Sequence, residues 1–213
     1  MRNHQLGRLG ANVAFTSIFL FALFMLLPDK VISVSLSSAA SLFISLGYLV
    51  MTCALASLAD NESKGSALAA LAIAAVYATL ICLVYFTQIT TVWQKAAPEQ
   101  MLQALVYQPG TWMFNIDMLG YAMLGLSTFF SGLVIKPQGK QDLWLRRLLM
   151  IHGIFFIMCL IMPVLGVFTQ TSGAGGDLFG ILVLEFWCLY FLPVTWLFGG
   201  YMKRLGGMKA AGV

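Results

Sequence analysis

The sequence predicts an all-α integral membrane protein: one polytopic domain over residues 1–213, built as a six-transmembrane-helix bundle. Three observations carry that expectation. First, 60% of the residues are hydrophobic and only 9% are charged, whereas a soluble domain carries about 25% charged residues. The mean hydropathy of +0.88 agrees. Second, six continuous apolar runs reach the roughly 20 residues that a helix needs to cross a bilayer. Lipid offers no partner for backbone N–H and C=O groups, so such runs must be helices rather than open strands. Third, the basic residues are divided between alternate connections. With the N-terminus inside, the inner segments hold Arg2, Arg8, Lys64, Lys136, Lys140, Arg146, Arg147, Lys203, Arg204 and Lys209, and the outer ones hold only Lys30 and Lys95. Lys and Arg are retained on the cytoplasmic side, so both termini are expected there. The net charge of +4 follows from this bias and from contact with anionic lipid heads; it calls for no nucleic-acid partner.

The spans are expected at about 11–27, 36–58, 66–88, 113–135, 148–170 and 179–202. The first follows MRNHQLGRLG and so has the outline of a signal peptide, but the run ends in Leu27-Pro28-Asp29-Lys30. That stretch lacks the small-residue cleavage site of a secretory signal, and the segment reads as a membrane helix. The second apolar stretch, 31–59, exceeds one crossing and must tilt or project.

Spans two and three form a hairpin around residues 60–65. Ser33, Ser37, Ser41 and Ser45 recur every fourth residue, as do Ala70, Ala74 and Ala78. Small residues at this spacing let helix backbones approach closely in lipid, so packing is expected, with a polar path or an oligomer seam as the alternative.

Between spans three and four lies WQKAAPEQMLQALVYQPGTW, residues 93–112. Pro98 can open a short helix, and Met101, Leu102, Leu105 and Val106 then share one face. Trp93, Tyr107 and Trp112 bracket it, as amphipathic rings do at headgroup level. A short interfacial helix is expected there, acting as a lid or an anchor. The inner connection, 136–147, is expected as a loop with Trp144 at the interface.

Ionisable side chains within a membrane are costly and mark candidate sites. Asp117, His152 and Glu185 qualify. Asp117 falls near the start of span four, where Asn115 can cap the helix and the dipole favours an acid. That makes a helix-start role the plain reading. Glu185 lies about 8–12 Å below its helix end, beyond the reach of the dipole, and is expected to contact a polar side chain, Gln88 or Tyr85 first. By depth alone, Tyr85, Thr87, Gln88, Asn115, Asp117, Thr169, Gln170 and Glu185 belong to one outward-facing polar layer.

His152 reads as a packed histidine. A bis-histidine haem needs a second membrane histidine, and His4 sits in the N-terminal tail. A zinc site has too few ligands. Cys53, Cys82, Cys159 and Cys188 are scattered singly and read as small hydrophobes. Pro163 and Pro193 fall within spans five and six and free the carbonyls of Cys159 and Leu189, an ordinary feature of membrane bundles. No catalytic motif, metal site or cofactor is expected.

In general layout the chain resembles small six-span bacterial inner-membrane proteins, which implies a location and no activity. Two functions compete. One is a non-enzymatic protein that binds or passes a small solute, ion or lipid through an outward-facing pocket lined by Glu185, Asp117, Gln88, Tyr85 and Asn115, or that serves as a subunit of a larger membrane complex or homo-oligomer. The other is an intramembrane enzyme acting on a lipid or lipid-linked substrate, with Asp117 and Glu185 as acid and base.

Overall fold

A computed structural model describes residues 2–167 and 176–210 of the chain, the side chains of 176–179 and 208–210 excepted. Every regular element among them is a helix. They are α1 (Asn3–Met25), α2 (Lys30–Leu58), α3 (Lys64–Thr87), α4 (Glu99–Leu105), α5 (Trp112–Val134), α6 (Lys140–His152), α7 (Ile154–Val164) and α8 (Gly176–Ala210). Six stretches are long and apolar enough to cross a membrane: Asn3–Met25, Lys30–Leu58, Lys64–Val92, Trp112–Val134, Lys140–Val164 and Gly180–Gly207. The fifth joins α6 and α7 across a turn at Gly153.

Helix ends are set by local chemistry. Asp29 accepts from the backbone N–H groups of Val31 and Ile32 and starts α2, a carboxylate satisfying donors that have no partner in the first turn. Thr111 does the same for Phe114 at the start of α5. At 29 residues, α2 is about 43 Å long and exceeds one crossing, as expected. Three starts differ from expectation, among them α2, which begins at Lys30 rather than near residue 36. The N-terminal helix begins at Asn3 rather than near residue 11, and α6 begins at Lys140 rather than near 148. Most of the expected inner loop is therefore helix, Trp144 included. Polar turns continuing a helix past the bilayer leave no trace in hydropathy.

The helices form a closed ring. The first helix lies beside α2 and α8, α2 beside α3, α3 beside α5, α5 beside α6 and α7, and α6 beside α8. The serine and alanine rows of the second and third spans are buried: Ser33, Ser37, Ser41, Ser45, Ala70, Ala74 and Ala78 all lie inside. Hydroxyls return to their own helix, Ser37 to the Val34 carbonyl and Ser45 to that of Leu42, which suits close packing. The tightest approach is between α1 and α2. A Cβ on Gly10 would sit 2.7 Å from the Gly47 carbonyl oxygen, and one on Gly47 would sit 2.8 Å from the Ala14 nitrogen. Only glycine allows these backbones to touch.

Aromatic rings fill the centre. Tyr48 meets Tyr77 at 5.9 Å and Phe191 at 6.1 Å, and Tyr121 meets Trp187 at 5.5 Å edge to face. Such offset geometries are the favourable ones for ring quadrupoles. Ten of the chain's basic residues belong to one end of the ring, here called the basic end. Lys136 there pairs with Asp60 and, at 3.6 Å, with Glu62. The hydrogen bond from Lys136 holds the Asp60 carboxyl down at about 2. Arg204 pairs with the buried carboxylate of Asp142. The opposite end carries α4.

Candidate functional site

Helix α5 opens at Trp112, so Asp117 is its sixth residue and points inward with Met113, Phe114, Gly120 and Tyr121. Its exposure is 0%. The helix-start reading is therefore corrected: a group beyond the first turn gains little from the dipole, and this one has left the surface altogether. The cap is Thr111, while Asn115 is exposed and caps nothing. Asn115 points away from Asp117 because two helical positions are about 200° apart.

One carboxylate oxygen of Asp117 is held and the other is not. Oδ2 accepts from the Tyr107 hydroxyl at 2.9 Å, and Oδ1 is buried without a hydrogen-bond partner. Tyr77, Tyr85 and Tyr121 lie within the field of the carboxyl. Tyr107 comes from the loop after α4 and packs its ring 5.8 Å from Tyr85 and 5.7 Å from Phe114.

Gln88 fixes that loop in place. Its Nε2 donates to the Leu105 carbonyl at 2.8 Å, and its Oε1 accepts from the Tyr107 N–H at 2.8 Å. One side-chain amide thus does for the last turn of α4 what a neighbouring peptide would do. Gln88 is itself buried and begins a π-helical turn, Gln88–Val92, that extends α3. Turns of this type are frequent at functional sites. The 93–112 connection contains a short helix, Glu99–Leu105, that follows Pro98 and buries Leu105.

Three residues chosen from the sequence therefore come together: Asp117, Tyr85 and Gln88. Tyr107 joins them and was missed, being read as an interfacial ring. The signal was in the sequence: Gln108-Pro109-Gly110 is a turn, and it folds residue 107 back over the first turns of the next span.

Glu185 does not join them. It is half-buried, its Oε1 is buried without a partner, and no polar side chain among the described residues bonds it. Both amide atoms of Gln88 are engaged elsewhere. The cause is azimuth. Trp187 faces α6 and donates to His152, and Glu185, two positions away, is turned about 200° from it. Thr169 and Gln170 lie outside the described residues, and Thr87 bonds its own helix at the Leu83 carbonyl.

His152 is buried and fully satisfied. Trp187 Nε1 donates to its Nε2 at 3.1 Å, and Nδ1 lies 2.9 Å from Thr128 Oγ1. An indole nitrogen only donates, so Nε2 accepts and the ring proton belongs on Nδ1. That proton goes to Thr128, whose own hydroxyl donates to the Gly125 carbonyl. The ring also stacks on Phe155 at 4.8 Å. Neither nitrogen is open to a metal. Among the described residues no three His, Cys, Asp or Glu side chains gather as a metal site would require.

Chemically, the Asp117 site offers one unpaired carboxylate oxygen among phenols. Such a group needs a proton, a cation or a donor in place of the water it has lost. Searches against protein-family models, curated sequences and solved structures found no match, so the site stands on its geometry.

Proposed function

We propose that this is a non-enzymatic membrane protein that binds a proton or a small cation at Asp117, beneath a lid formed by α4 and the loop carrying Tyr107. The observation behind this reading is the pairing of a wholly buried carboxylate, half of it unpartnered, with a closing contact from a segment outside the spans. Ionisable groups in membranes mark ion and substrate paths, and occupancy of Oδ1 would decide whether the lid can rest on an uncharged floor. Gln88 serves as the latch, Tyr85 and Tyr107 as the walls, and α4 lies along the membrane surface with Leu105 packed into the core beneath it. The lid end faces outside, since the basic residues gather at the other end, and a bacterial inner membrane suits that orientation. An acid–base enzyme would need Glu185 at the same site, and the face of α8 that carries Glu185 gives that reading no support.

The test follows hydrogen exchange at the Tyr107 amide in detergent-solubilised protein, corrected for the intrinsic base catalysis of exchange. Protection should fall as pH rises without sodium and return when sodium is added. Asp117→Asn should respond to neither. A native protein equally indifferent to pH and sodium overturns the proposal.

A further inference from the structure

We propose a binding site for one anionic glycerophospholipid in the groove between α1, α6 and α8 at the basic end. The groove, of about 410 Å³, is lined by Arg8, Asn12, Phe15, Gln141, Trp196 and Lys203, with Gly199 and Gly200 at its floor.

Its chemistry is graded along the membrane normal. On α1, Arg8 lies nearest the helix end and Phe15 seven residues deeper. On α8, which runs the opposite way, Lys203 lies nearest the end and Trp196 seven residues deeper. Seven residues are about 10 Å of helix. Two antiparallel walls thus place a cation at one level and an exposed ring at the next, the order of phosphate and acyl chain in a phospholipid. Trp196 is 63% exposed and Phe15 38%, so both rings are open to a ligand.

The cations are also unspent. Among the described residues neither Arg8 nor Lys203 has an ion-pair or hydrogen-bond partner. The adjacent Asp142 is neutralised by Arg204, and Gln141 accepts from Arg204 through Oε1 at 2.9 Å, leaving its amide N–H groups to donate. No acidic side chain lines the groove. Basic grooves between spans hold anionic headgroups in this way. The floor is open because Gly200 carries no side chain: a Cβ there would meet only the Arg204 guanidinium, at 3.5 Å.

Native mass spectrometry of the full chain, with phosphatidylglycerol or phosphatidylcholine added, tests the assignment. One phosphatidylglycerol should be retained in about tenfold preference, and the double variant Arg8→Gln/Lys203→Gln should lower its retention about tenfold. Lys140→Gln/Arg147→Gln removes equal charge from the same end outside the groove and should change nothing. Gly200→Leu fills the floor without altering charge and should also expel the lipid, which keeps the test sound if the double variant misfolds. Equal retention of phosphatidylcholine, equal loss in the control variant, or displacement of the lipid by an equal concentration of inorganic phosphate overturns the proposal.

Discussion

His152 and Asp117 are both buried, both ionisable and both held by partners from other elements of the chain, yet they do opposite things with the same resource. Each hydrogen-bonding position of the imidazole is matched, by Trp187 on one side and Thr128 on the other. The carboxylate is matched on one side only. A fully matched polar group in lipid ties helices together and has nothing left to offer a ligand. A half-matched one keeps an unmet demand, and that demand is what a site consists of. Burial alone does not separate the two; the count of satisfied positions does.

That contrast breaks first at the histidine. His152→Ala should cost about 3 kcal/mol or more, because it opens a cavity among Phe155, Phe191 and Tyr190 and orphans the Trp187 donor. Asp117→Asn should stay within about 1 kcal/mol of the native protein, since its carbonyl still accepts from Tyr107. Thermal unfolding in a neutral detergent reads both, and equal losses would erase the distinction. Gln88→Ala should come next, at about 2 kcal/mol for two backbone partners released. Its effect should be local, with exchange quickening at Leu105 and Tyr107 before the spans loosen; uniform quickening would mean that Gln88 is simply core. The smallest effect belongs to Glu185. A polar partner such as Gln88 or Tyr85, which depth alone suggests, would make Glu185→Gln better tolerated than Glu185→Leu. With no such partner among the described residues, leucine should match or exceed glutamine in melting temperature. A clear loss with leucine would restore Glu185 to a polar cluster.

The comparison also explains what the sequence could tell. Depth was legible, because it requires only counting residues along a helix at 1.5 Å each. The six spans and the shared level of Asp117, Gln88 and Tyr85 followed from that count. Azimuth was not legible. Which face of α8 meets the centre depends on which helices are its neighbours, and the ring order is a tertiary fact. Glu185 was therefore grouped by depth with residues that its helix face does not meet. Tyr107 failed for a related reason: hydropathy describes a loop's surroundings and says nothing of where a proline-glycine turn sends it. The Gly10–Gly47 crossing was hidden too, since each glycine is unremarkable until the partner backbone is known.

The closed ring has a consequence in time. Its seam joins the first helix to the last, and the last brings Trp187 and Phe191 to the centre. Until α8 is in place, His152 lacks its indole donor, Tyr48 lacks Phe191 and Tyr121 lacks Trp187, and one flank of α1 is uncovered. Docking of α8 is therefore what hides this polarity from its surroundings.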